Sequence, residues 1–256
     1  VSSVTAPAAE LALLVPTLLG VGLLVAATVI VLLWFRIPHA FAPALAIVRG
    51  AAQLAVISLI LGSVITDPVW VGAALLVMFV VAAVTATRRI HWSASRFALV
   101  GGAMAAGIVV TLFVVFATGA VAFTPRYALA LGGIVIGNAM TIATLAGRRL
   151  TESIVDRWEE VEGWMALGAT PRESTLSLAR SAVYSALIPS TDQTKTTGLV
   201  TLPGAFVGAI FGGLSPLEAG RFQIVVLACI MAAGAITAVI IVRVLAPTRV
   251  RPATLR

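Results

Sequence analysis

The chain has 256 residues, 60% of them hydrophobic and 11% charged, with a mean hydropathy of +1.10. An ordinary soluble domain is about 25% charged, so the composition excludes a water-soluble globular protein and any large soluble catalytic domain. The net charge of +7 comes from sixteen arginines and one lysine against ten acids; these flank apolar runs instead of forming a continuous basic face, which argues against a nucleic-acid partner.

A helix needs about 20 apolar residues to cross the ~30 Å hydrocarbon core. Seven runs meet or approach this length. The first, 11–35, is uncharged and ends at Arg36; it lacks the basic start and short apolar core of a secretory signal and is expected to be retained. The second, 41–63, carries Arg49 and Gln53 and stops before Asp67-Pro68. The third, 69–87, meets the polar stretch from Arg88 to Arg96, and the fourth and fifth follow at 97–118 and 127–147.

Residues 148–182 differ in kind, holding six of the ten acids and five arginines. Leu150, Ile154, Trp158, Val161 and Met165 recur at three- and four-residue spacing, which predicts an amphipathic helix. It should break at Gly168, and Thr170, Pro171 and Glu173 supply the N-cap, first position and capping-box acid of a following helix. A sixth membrane element, 184–213, is interrupted by Pro189, Pro203 and several glycines, and a seventh spans 222–245 before a short basic tail.

Seven spans put thirteen of the seventeen basic residues on one side, among them Arg36, Arg88, Arg89, Arg148, Arg149 and Arg243. The positive-inside rule then places the N-terminus outside and the C-terminus and residues 148–182 in the cytoplasm. The expected fold is all-α: a polytopic membrane helix bundle of about seven transmembrane helices in a single domain.

Permeases driven by a separate ATPase present a short cytoplasmic helix to a groove on that ATPase. The stretch Glu162-Gly-Trp164-Met-Ala-Leu167-Gly168-Ala169-Thr170-Pro171-Arg172-Glu resembles the coupling motif of ABC-transporter permeases, with a glycine six positions after the glutamate. Arg49-x-x-x-Gln53-Leu, Gly137-Asn138-x-Met140, Leu187-Ile-Pro189 and Gly198-Leu-Val-Thr-Leu-Pro203-Gly204, taken with that segment, look like the FetB family of iron-export ABC permeases. That family includes plant aluminium-tolerance permeases, and Asp192-x-x-Lys195-Thr196 is more similar to those. The resemblance implies a homodimer in the plasma membrane, working with two copies of an ATP-binding subunit and exporting a metal ion. Another metal or a small metabolite is the alternative cargo. No Gly-x-x-x-x-Gly-Lys-Ser/Thr phosphate loop occurs, so the chain is expected to bind no cofactor itself, with ATP and magnesium on the partner subunit.

A charge in hydrocarbon costs about 2.5 kcal/mol or more, which makes Arg49, Asp192 and Lys195 candidates for the transport pathway. Arg49 and Gln53 lie one turn apart, and Arg49 has the structural alternatives of pairing with Asp192, capping carbonyls or snorkelling to the interface. Asp192 and Lys195 either pair with each other or line the cytoplasmic mouth. Asn138 has the alternative of bonding across helices as packing glue, and Met140 of filling a gap. Pro203-Gly204 marks a broken helix, which a membrane tolerates only beside protein or water, so the pathway is expected near it. The glycine rows 204/208/212 and 133/137 allow close helix approach, either between two copies or within one. His39, His91 and Cys229 supply no Cys/His cluster. A secondary transporter would want an inverted repeat, which is not evident, and an intramembrane enzyme would need a nucleophile and base at membrane depth.

Overall fold

The computed structural model describes residues 5–64 and 67–252. The described residues form ten helices: α1 (Thr5–Trp34), α2 (Ala42–Val64), α3 (Pro68–Ile90), α4 (Ala94–Ala117), α5 (Pro125–Asp156), α6 (Trp158–Ala166), α7 (Pro171–Ser174), α8 (Leu176–Thr196), α9 (Gly204–Phe211) and α10 (Pro216–Leu245). The helical architecture expected from composition is present. Helices α1 and α2 form one compact unit and α3–α10 another.

Short polar residues start the long helices of the second unit. The Asp67 carboxylate accepts the Val69 N–H at 2.8 Å, ahead of Pro68 at the first position. Ser93 and Thr124 cap α4 and α5, and Ser215 with Glu218 makes a reciprocal capping box on α10. Each cap satisfies N–H groups that the first helical turn leaves free.

Two buried clusters hold the second unit together. One joins α3, α4, α5 and α10 through Ala83, Met104, Leu131, Val135 and Ile241; the other joins α5, α6, α8 and α10 through Ile142, Leu150, Val161, Ala182 and Val242. Small residues let the helices approach closely. A Cβ at Gly107 would lie 2.5 Å from the Ala233 carbonyl oxygen, so only glycine fits where α4 crosses α10, and there the Thr237 hydroxyl donates to the Ala103 carbonyl at 3.3 Å.

These contacts also fix which helix ends lie together. Gly147 of α5 packs on Ile90 of α3, and the Arg251 guanidinium, beyond α10, donates to the Val155 carbonyl of α5 at 3.2 Å. Arg88, Arg89, Arg148, Arg149 and Arg243 therefore gather toward one end of the unit. At the other end, Pro68, Ala117 and Pro125 line one cavity and Tyr127, Glu218 and Arg221 another.

Among the described residues, five helices are long and apolar enough to cross a membrane: Val15–Trp34, α3, α4, α5 and α10. The apolar stretch of α2, Ala42–Ser58, is shorter. The expected element at 184–213 is two helices, α8 and α9, separated by residues 197–203. Pro189 lies inside α8 without ending it, and the break falls at Gly198 and Pro203. The helix that carries the fifth apolar run continues beyond residue 147, running 32 residues from Pro125 to Asp156, about 48 Å. Charged residues mark where a helix leaves hydrocarbon, not where it unwinds, because solvated arginines and glutamates are good helix formers.

Candidate functional site

The apolar stripe read from the sequence is the inner face of the segment that follows α5. Leu150, Ile154 and Val161 are buried, with Trp158 and Met165 packed against them. It is not one helix, however: Arg157, with φ −112° and ψ 30°, separates α5 from α6. The stripe continues in phase across the break, so periodicity alone carries no sign of it. Ion pairs along the helices tie Arg148 and Arg149 to Glu152, each at 3.6 Å, and Arg157 to Glu160.

Burying Trp158, Val161 and Met165 turns the opposite face of α6 outward. Glu159, Glu160 and Glu162 are exposed there, as are Trp164 at 52% and Leu167 at 83%. Large apolar side chains so exposed beside acids make this a surface suited to a protein partner. The helix ends at a Schellman turn: the Ala169 N–H donates to the Trp164 carbonyl and the Gly168 N–H to the Met165 carbonyl, both at 3.0 Å. Gly168 takes φ +97°, and a Cβ there would meet open space, so backbone conformation and not crowding selects glycine.

The predicted capping box begins α7. The Thr170 hydroxyl and N–H donate to Glu173 Oε2 at 2.7 and 2.8 Å, and the Glu173 N–H reaches Thr170 Oγ1 at 3.3 Å. The Thr170 hydroxyl and N–H hold the Glu173 carboxyl below its ordinary value of 4.5. Pro171 occupies the first helical position, and its carbonyl accepts from the hydroxyls of Ser174 at 3.1 Å and Thr175 at 2.9 Å. Ala169 is half-buried and Arg172 exposed.

The intramembrane candidates do not form a single site. Arg49 and Gln53 are exposed one turn apart on α2. The Asn138 amide donates to the Ile134 carbonyl of its own helix at 2.9 Å, so the expected cross-helix bond is not made. Met140 packs against the first cluster as a gap-filler. Lys195 Nζ lies 3.3 Å from Asp192 Oδ1, and these side chains remain 70% and 60% exposed. Asp192 thus finds its partner one turn along its own helix. The Thr191 hydroxyl contacts Met231 Sδ at 3.9 Å, a neighbour forty residues away that no local pattern announces. Met231 is mid-length in α10, and Asp192 is about 24 Å along α8 from Leu176. The ion pair therefore does not lie at the arginine-rich end of the unit.

Past the pair, the Thr196 carbonyl accepts N–H groups from Val200 at 2.9 Å and Thr201 at 3.2 Å, and the Gly198 N–H, at φ +88°, reaches the Thr201 carbonyl at 2.8 Å. The Thr196 hydroxyl donates back to the Asp192 carbonyl at 2.9 Å. Pro203 precedes α9 as its N-cap. Gly204, Gly208 and Gly137 have no neighbour within 4 Å of a Cβ position, while Gly133 meets Met78 at 3.1 Å. Packing within the chain thus uses Gly107, Gly132, Gly147 and Gly234 instead of the predicted row on α9. Among the described residues no group of three or more His, Cys, Asp or Glu side chains could hold a metal ion.

The family model described as "Uncharacterised protein family (UPF0014)" matches residues 15–249. The chain is 37% identical over 197 residues to the UPF0014 membrane protein STAR2 of Oryza sativa subsp. japonica, covering 76% of this chain and 69% of that one. It is 36% identical over 193 residues to Protein ALUMINUM SENSITIVE 3 of Arabidopsis thaliana, covering 75% and 71%. Against the probable iron export permease protein FetB of Escherichia coli (strain K12) it is 32% identical over 168 residues, 65% of each chain. No solved structure matches.

Proposed function

Because the chain belongs to the UPF0014 family of membrane proteins, we propose that it is the membrane-spanning subunit of an ABC transporter that exports a metal ion with ATP hydrolysed by a separate subunit. The observation that carries this reading is α6: a short helix anchored by Val161, presenting Glu162, Trp164 and Leu167 outward and closed by a glycine turn. Its inner face belongs to the same cluster as α8 and α10, so a push on α6 reaches both helices through close-packed side chains. Similarity to a probable iron export permease makes iron the first cargo to test.

On this reading α6 and α7 lie in the cytoplasm, the N-terminus lies outside, and α8 with α9 forms one broken span among seven. Two copies of the chain and two of the ATPase make the transporter. The exposed pair Asp192–Lys195, together with Thr196 and Pro203, faces the pathway, since ions facing lipid at that depth are costly. The test is ATP hydrolysis by the chain reconstituted in lipid with its ATP-binding subunit, titrated with ferrous iron and other metals. The expected result is turnover that responds to one metal and is lost in a Glu162→Arg, Gly168→Trp variant. Turnover indifferent to every metal refutes the cargo class, and absence of a complex refutes the ABC assignment.

A further inference from the structure

Arg172 of the α7 turn, Arg180 of α8 and Arg243 in the last turn of α10 converge on one groove of about 480 Å³. They are exposed, and among the described residues none of their side chains makes a hydrogen bond or an ion pair. No acid lines the groove, and Glu173, the acid beside it in sequence, is engaged by Thr170. Apart from Tyr184 the remaining wall is apolar, with Val183 and Leu187 on one side and Val239 on the other. From Leu176 to Leu187 this wall runs about 17 Å along α8. Among the described residues beyond α10 only Ala246 lines the groove, and Arg251 donates to the Val155 carbonyl of α5.

We propose that this groove binds an anionic glycerophospholipid, its phosphate held by Arg172, Arg180 and Arg243 and an acyl chain laid along Val183, Leu187 and Val239. Charge of a single sign at the mouth selects an anion. The long apolar wall selects a lipid over free phosphate, which would gain nothing from it. The position fits as well: Arg243 sits where the apolar run of α10 ends, so its guanidinium reaches headgroup level while its stem stays against the span. The lipid bridges α8 and α10, two helices of the cluster that anchors α6. This inference needs α10 to cross the membrane but does not depend on the ATPase partner or on the cargo.

The experiment is native mass spectrometry of the full chain released from nanodiscs of equal phosphatidylglycerol and phosphatidylcholine. Retention of phosphatidylglycerol in preference to phosphatidylcholine is expected, falling at least about tenfold in an Arg172→Gln, Arg180→Gln, Arg243→Gln variant. The corresponding lysine variant should keep most of it, and Val239→Trp, with the arginines intact, should lose it by blocking the acyl path. Arg88→Gln with Arg89→Gln, at the same end of the unit, should leave retention unchanged. Should the triple glutamine variant not fold, Arg180→Gln alone and Val239→Trp report the same loss. Equal retention of the two lipids, or undiminished retention in the triple variant and in Val239→Trp, overturns the proposal. Displacement by inorganic phosphate alone also overturns it, assigning the arginines to a free anion. So does a disulfide between two copies through Tyr184→Cys that excludes lipid, which would give the groove to a second chain.

Discussion

The segment from α6 to α7 and the junction from α8 to α9 both interrupt the helical chain within a few residues, and they satisfy the freed backbone in different ways. At the first, side chains do much of it: Thr170 and Glu173 cap each other's N–H groups, and the charges of Glu159, Glu160 and Glu162 are exposed. At the second, the backbone closes on itself, with the Thr196 carbonyl gathering N–H groups from the turn and Gly198 bonding Thr201. On the proposed topology, with α6 and α7 in water and α8 and α9 forming one span, the difference follows from solvent. A break in water can lean on ionised caps, whereas one near hydrocarbon must consume its own donors and acceptors. An ion pair left exposed beside the second break is therefore the greater anomaly and the stronger pointer to a pathway.

The largest expected effect lies in the first region. Glu162→Arg with Gly168→Trp should reduce metal-stimulated ATP turnover at least about a hundredfold, since a reversed charge and a side chain at φ +97° both disturb the proposed docking face. Turnover near wild type would remove α6 from the coupling path. Next, Asp192→Asn or Lys195→Met should each lower transport about tenfold while leaving assembly with the ATPase intact. If the exchange Asp192→Lys with Lys195→Asp restores transport fully, the pair acts only as a structural link. Thermal unfolding should show a smaller effect for Gly168→Ala, a destabilisation of about 1–2 kcal/mol from the left-handed backbone. Thr170→Ala should cost about 1 kcal/mol through the lost cap.

The smallest effect concerns pH. The carboxyl of Glu173 is held below its ordinary value by Thr170, so its contribution is complete above the unfolded-state value and disappears as pH falls through the lower folded-state value. Hydrogen exchange at α7 should therefore rise first on acidification, while the α8–α9 turn, which has no carboxylate in its backbone bonds, keeps its protection. Equal loss at both sites would contradict the distinction drawn from solvent.

What the sequence made legible divides along the same line. The stripe Leu150, Ile154, Trp158, Val161 and Met165 and the cap Thr170-Pro171-x-Glu173 are local patterns with one physical outcome each, and the structure places them as read. The break at Arg157 was hidden because the stripe stays in phase across it. In the α8–α9 region, Pro189 and Pro203 look alike in sequence, yet one is absorbed within α8 and the other begins α9. The glycines of α9 carry a visible row, but which glycines meet a neighbour depends on helix crossings such as Gly107 on Ala233 and Gly234 on Ile142. Arg172, Arg180 and Arg243 were legible as basic residues of one side, while their convergence on a groove required the packing of α8 against α10.

On the proposed function, the outward face of α6 meets the ATPase. Cys229, the single cysteine, is buried in α10, so Leu167→Cys provides a unique accessible thiol. In the reconstituted complex, that thiol is predicted to cross-link to the ATP-binding subunit, to do so differently with and without ATP, and to lose its reactivity toward maleimide when the subunit binds. A thiol that stays fully reactive in the assembled complex and never cross-links to the ATPase would contradict the account.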